Sequence, residues 1–189
     1  MLPALRDDGS VNVVVESPRG SAVKFKYDPE IERFVLSRPL PAGLVYPHDW
    51  GFVPSTRASD GDPLDALIAW DGASYPGIVI PCRLIGVLEV EQTNAKSHAR
   101  ERNDRIIALP LKAPRQDDIH SVFDFSDRWR SELERFFVNA VAFERKELQI
   151  LGWNGPTEAE ALLKQSLANR AGGEEDGGVI ANQPASRST

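Results

Sequence analysis

The stretch "SDGDPLDALIAW", residues 59–70, places Asp60, Asp62 and Asp65 directly ahead of the apolar run Ala66-Leu67-Ile68-Ala69. Carboxylates this close repel one another unless water screens them or a cation gathers them. Taken alone, Asp60-Gly61-Asp62-Pro63 is equally an ordinary hairpin turn. Asp65 shifts the balance, because it enters the following strand, where an unpaired inward carboxylate is costly. An EF-hand does not account for the stretch, since the later glycine and distal glutamate of that loop are missing. Several oxygens from one bend suit hard cations, Mg²⁺ above all, with Mn²⁺ or other divalent ions as substitutes. Water shared between two such ions gives up its proton more readily.

The surrounding chain has 189 residues, 41% of them hydrophobic and 26% charged, which describes one globular domain with an ordinary core. A net charge of −6 argues against a dedicated nucleic-acid binder, whose footprint is usually basic. Cys82 is the one cysteine, so no disulfide forms within the chain, and a reducing cytoplasm is the expected location. No apolar run approaches the ~18 residues of a membrane span, and no signal peptide is read at the start.

Working outward from the bend, the first two-thirds reads as strands. "VNVVVE" (11–16) is β-branched, and "AVKFKY" (22–27) alternates, so that Lys24 and Lys26 share one face opposite Val23, Phe25 and Tyr27. "RFVLS" (33–37), "DALIAW" (65–70), "IVIPCRLIGVLEV" (78–90) and "RIIALPL" (105–111) follow, with Pro81 suggesting an edge or a bulge. The period then changes. "SDRWRSELERFFVNAVAFER" (126–145) has Ser126 as N-cap and apolar residues at helical spacing. "ELQILGW" (147–153) is a short strand, and Pro156 opens a second helix with Gly172 near its end. Residues 1–10 read as an extension, 11–170 as the domain and 171–189 as a mobile polar tail. Strands first and helices late predict an α+β, mainly β fold: a small barrel with two helices packed outside.

Cations held by such a bend await an anionic partner, so fixed positive charges on neighbouring strands matter. Lys24, Arg38 and Tyr46 lie in suitable segments, and Glu16 closes the first strand. Each is unremarkable alone: a solvated charge, or a core tyrosine with a satisfied hydroxyl. Together they make an array of carboxylates, cations and a phenol suited to a small phosphate compound and its metals.

With these residues in place the sequence resembles the soluble, Mg²⁺-dependent inorganic pyrophosphatases of the first, OB-barrel class. The likeness runs from Val11 to Trp153 through "VVVESP", "VKFKYD", "FVLSRPLPAGLVYPHDWGFVP", "SDGDPLDALI", "VIPCRLIGVLEVEQ", "IIALP" and "LERFF". It implies a five-stranded OB-like barrel, pyrophosphate as substrate and assembly of several copies. By resemblance, Asp60 and Asp65 correspond to metal ligands and Asp62 to the carboxylate that positions or deprotonates the attacking water. Glu16 matches an acid contacting outer metals through water, Lys24 and Arg38 match phosphate-binding cations, and Tyr46 a site tyrosine. Asn103 stands where the family has a metal-binding aspartate, and Arg105 where it has a lysine.

The chain departs from the family pattern at further positions. Lys26 replaces a second acid, Trp50 a tyrosine that contacts phosphate, Gln92 an aspartate, and Ala140-Val141 a tyrosine-lysine pair. The connection before Asn103 is lengthened by "TNAKSHARER", and Glu91, Glu101 or Asp104 is a candidate replacement carboxylate there, with a plain solvated loop as the alternative for each. Asparagine keeps an oxygen but loses a charge, which weakens a hard-cation site; arginine keeps the charge in a planar fork. The residues that make the nucleophile are intact, and those that grip the phosphates are thinned. The leading expectation is Mg²⁺-dependent pyrophosphate hydrolysis. A second reading keeps the fold but changes the phosphate compound, or retains binding without turnover. A third, an OB-type nucleic-acid module, conflicts with the acidic charge.

Overall fold

The computed structural model describes residues 2–94, 97–144 and 146–176. Five strands close a ring: β1 (Val11–Ser17), β4 (Asp49–Phe52), β5 (Asp65–Ile68), β8 (Arg105–Pro110) and β6 (Val79–Thr93), with β6 returning to β1. All contacts in the ring are antiparallel except β5 with β8, where Ala66 pairs with Ile106. A length of 15 residues lets β6 reach β1 at its start and carry β7 (Arg100–Arg102) and β9 (Leu148–Asn154) farther on. β2 (Val23–Asp28) and β3 (Arg33–Pro39) form a separate hairpin. The expected five-stranded barrel is therefore present.

Alternation along the ring strands fills two clusters. Leu67, Ile107, Leu109, Ile85 and Leu88 join helix α1 (Asp127–Ala140) through Leu133, Phe136 and Phe137. Ala66, Ile68, Ile106, Ala108 and Val87 join Val11, Val13 and Val15, with Ala159 and Leu163 of helix α2 (Pro156–Asp176). Burial on both faces explains why these segments read as continuous apolar runs. Gly51 permits the β1–β4 contact, since a Cβ there would lie 1.8 Å from the Val14 carbonyl oxygen.

Ser126 caps α1 by accepting from the Trp129 amide. Two strands went unread: β4, hidden in an aromatic, turn-rich segment, and β7, three charged residues inside the lengthened connection. Pro81 sits in the paired part of β6 opposite Asn12, and the irregularities fall later, at Leu84–Gly86 and Glu89–Val90. The Pro81 carbonyl still accepts from the Leu111 amide, so the missing N–H does not end the strand. Helix α2 continues through Asp176, past the expected start of the tail near residue 171; residues 177–189 lie outside those described. Residues 2–10 lie along the barrel, with the Asn12 amide donating to the Ala4 carbonyl and Ala4 buried. Among the described residues no helix is long and apolar enough to cross a membrane.

Candidate active site

The carboxylate bend is a local structure in its own right. The Asp62 amide donates to Asp60 Oδ1 at 3.1 Å, Ala58 N donates to the Asp62 carbonyl, and Gly61 turns with φ +89°. A glycine is needed there because side-chain-bearing residues rarely adopt that backbone angle. Ser59 Oγ donates to the Arg102 carbonyl at 2.9 Å, tying the bend to the end of β7. Asp65 then opens β5 beside Arg105, which opens β8: the parallel register Ala66↔Ile106 sets the two preceding residues next to each other. Asn103 lies two residues before Arg105, partly buried, its amide donating to the Val90 carbonyl.

The hairpin supplies the opposing charge. Lys24 and Arg38 face each other in register, an arrangement of like charges that is unfavourable without an anion between or beside them. An irregularity after Lys24 falls on the β3 side, so Lys24 and Lys26 keep a common face, as the alternation predicts. The end of β1 anchors the hairpin: Glu16 Oε1 accepts from the Tyr27 amide at 2.8 Å, and Ser17 Oγ accepts from the Phe25 amide at 2.9 Å. Arg38 Nε is paired with Glu144 at 2.8 Å. Lys26 Nζ stands 3.1 Å from Asp62 Oδ2, both side chains more than half exposed.

Electrostatics bind these residues into one group. Burial, reinforced by the nearby Asp65, pushes Glu16 up to about 7 despite the Tyr27 amide and Lys24. Burial likewise pushes Asp60 up to about 6, with Asp65, Asp62 and Glu101 adding to the rise. Asp65 is also raised by burial, against the pull of Lys24 and Arg105. Lys24 is lowered by burial, although Asp65 and Glu16 oppose this. Burial drives Tyr46 to about 12, so its phenol stays protonated and serves as a donor beside Ser17. Burial lowers Arg105 to about 10, which leaves it cationic near neutral pH.

The structure thus brings Glu16, Lys24, Arg38, Tyr46, Asp60, Asp62, Asp65 and Arg105 into one coupled region. Of the three spare carboxylates, Glu91 is held by Arg100 at 2.9 Å, and Asp104 by Arg102 and the Val90 amide. Glu101 accepts from the amides of Gln92 and Asn94 and alone among the three adds to the rise in Asp60. Trp129 is partly buried, stacked on Phe125 at 4.1 Å and donating to His48 Nε2. Sequence reasoning missed Ser17 and Glu144, which differ in no visible way from ordinary polar residues until the hairpin and α1 are folded together.

Hard oxygen donors with raised affinity for protons fit a divalent cation, which replaces the proton and removes the mutual repulsion. Among the described residues no three His, Cys, Asp or Glu side chains converge into a finished cage.

Comparison with known proteins agrees with this arrangement. Residues 13–171 match the family model described as inorganic pyrophosphatase. The inorganic pyrophosphatase of Nostoc sp. is 37% identical over 166 residues, covering 88% of this chain and 95% of the relative. That of Synechocystis sp. is 34% identical, covering 89% and 96%. The crystal structure of inorganic pyrophosphatase from Thermus thermophilus superposes with a TM-score of 0.83 at 32% identity, covering 90% of this chain and 97% of that one.

Proposed function

Because the chain belongs to the inorganic pyrophosphatase family, we propose that it hydrolyses pyrophosphate to two phosphates in an Mg²⁺-dependent reaction at the coupled carboxylate–cation site. The observation that carries this reading is the placement of Asp65, at the end of the Asp60–Asp62–Asp65 bend, against the cations Lys24 and Arg105, with Arg38 facing Lys24 across the hairpin. Acids that attract cations and cations that attract phosphate then address one small volume.

Asp60, Asp65, Glu16 and Asn103 are the residues to hold the metals, with Glu101 as a further carboxylate on the Asp60 side. Bound Mg²⁺ would supply charge neutralisation for the phosphates and acidify the attacking water. Asp62, exposed and outside the strand, orients that water and accepts its proton, the role of a general base. Lys24, Arg38 and Arg105 bind phosphate oxygens and offset the charge that gathers as the anhydride bond breaks. Tyr46 donates a hydrogen bond to a phosphate oxygen, since its phenol, raised to about 12, stays protonated near neutral pH and offers no phenolate to act as a base. A cytoplasmic location and association of several copies belong to the same reading. Phe143, 90% exposed just after α1, is the most exposed large apolar side chain among the described residues and a candidate contact for association.

The test is phosphate release from pyrophosphate as Mg²⁺ is titrated into the purified chain. Turnover is expected to require Mg²⁺ and to fall ~10²–10⁴-fold in Asp62→Ala. Asp62→Ala retaining full activity would remove Asp62 from the mechanism.

A further inference from the structure

An ion pair joins the turn after α1 to the β2–β3 hairpin, with Arg38 Nε 2.8 Å from Glu144 Oε1. The two side chains are 22% and 33% exposed, so the contact is neither sealed nor fully screened. Glu144 reaches this place by a tight exit from the helix. Past Ala140, the Ala142 amide donates to the Asn139 carbonyl and the Glu144 amide to the Val141 carbonyl. These turns fix the backbone of Glu144, while its long side chain keeps other rotamers that point into water.

Helix stability does not account for an acid here. The C-terminal end of a helix carries partial negative charge and favours cations, yet the last turn of α1 has no basic residue and Glu144 follows it. Arg38 does account for it. Arg38 faces Lys24 across the hairpin, and Lys24, lowered by burial, is lowered further by the charges of Arg38 and Arg105. Asp65 and Glu16 answer the charge of Lys24. Arg38 Nη1 reaches the Pro39 carbonyl only at a long 3.4 Å, and its charge is met by Glu144. To a guanidinium, a carboxylate oxygen and a phosphate oxygen are the same kind of acceptor. One N–H cannot serve both at full strength.

We propose that Glu144 is an internal competitor for Arg38, whose carboxylate holds the Arg38 Nε–H in the substrate-free chain and gives way when a phosphate group binds. It thereby sets how tightly the site holds substrate and product. This rests on the pyrophosphatase reading for the role of Arg38. Arg38 is open to phosphate in the fraction of molecules whose Glu144 has swung away, and the apparent affinity is reduced by that fraction. The reduction falls equally on substrate, transition state and product. Glu144 therefore acts on binding through Arg38 and not on the chemical step.

Calorimetry with inorganic phosphate at fixed Mg²⁺ compares the full chain with Glu144→Gln, which keeps the shape and removes the charge. Phosphate is expected to bind about three- to fivefold more tightly to Glu144→Gln. The KM for pyrophosphate is expected to fall by the same factor, with no rise in kcat. Glu132→Gln removes the same charge from an exposed α1 pair with Arg128 and is expected to change neither quantity. In an Arg38→Gln background, Glu144→Gln is expected to give no further tightening. A mere staple between hairpin and helix would instead lower the melting temperature of Glu144→Gln and leave phosphate binding unchanged or weaker. That result, equal tightening in Glu132→Gln, a gain that survives Arg38→Gln, or no phosphate binding at all would each overturn the proposal. Tighter phosphate binding in Glu144→Gln without pyrophosphate turnover in either chain would uphold the competitor and count against the hydrolase reading.

Discussion

At the scale of single residues, Lys26 is the most consequential departure from the family pattern. Burial lowers its ammonium, but the bond and charge of Asp62 with the charges of Glu16 and Asp65 together outweigh this and raise it, so it stands as a tethered cation beside the candidate base. A cation in that position repels divalent ions held by the neighbouring Asp60 and Asp65. The pair is well exposed, so solvent screens it and the repulsion is modest. Lys26→Gln is therefore expected to raise Mg²⁺ affinity about two- to fivefold, read by calorimetric titration. Weaker Mg²⁺ binding in that variant would show that Lys26 supports the site instead of repelling the metal. The Asp62–Lys26 contact was not legible in the sequence, although both residues were singled out. Their spacing along the chain, 26 to 62, carries no signal until the hairpin folds over the bend.

Whole elements carry two further consequences. The connection lengthened by "TNAKSHARER" adds β7 to β6 and brings Glu101, not Glu91, to the Asp60 side. Glu101→Gln is expected to weaken Mg²⁺ binding about tenfold, the usual loss when a supporting partner of a metal site is removed. Glu91→Gln, on the Arg100 pair, is expected to leave it unchanged; equal effects would dissociate β7 from the metals. The helix α1 is pinned by His48, whose Nε2 accepts from Trp129 and whose Nδ1 must therefore carry the proton donated to the Trp70 carbonyl. Burial lowers His48 below its ordinary 6.5, so the unfolded chain takes up this proton first. Stability is then lost as pH falls below about 6.5 toward the folded value. Melting temperature between about pH 7.5 and about pH 5.5 is expected to drop more in the wild type than in His48→Gln, and an equal drop would free His48 from this role. Strong periodicity made the β2–β3 strands and α1 readable, and Ser126 marked the helix start. The four-residue β4 and three-residue β7 were not, because tertiary pairing, not local pattern, makes them strands.

The molecule as a whole spends stability on its site. The closed ring, two buried clusters and both helices exist around Asp65 and Arg105, which open the one parallel pair of strands. Fold and carboxylate motif were legible together because "SDGDPLDALI" is at once the bend and the first residues of a ring strand. The raised Asp65 and lowered Arg105 both record charges held where burial disfavours them. For Asp65→Asn two terms oppose each other: a buried carboxylate is removed, but Lys24 and Arg105 lose an attraction. Metal-free stability is accordingly expected to change little. Mg²⁺ is a different matter, since a ligand that binds only the folded chain stabilises it by about 2.7 kcal/mol at 100 times its dissociation constant. For a chain of this size that corresponds to a melting shift of about 5–10 °C. The wild type is expected to show this shift, and Asp65→Asn to lose most of it at the same Mg²⁺ concentration. Scanning calorimetry with and without Mg²⁺ measures both, and full protection of Asp65→Asn would show that the metals are held without the residue that joins the bend to the barrel.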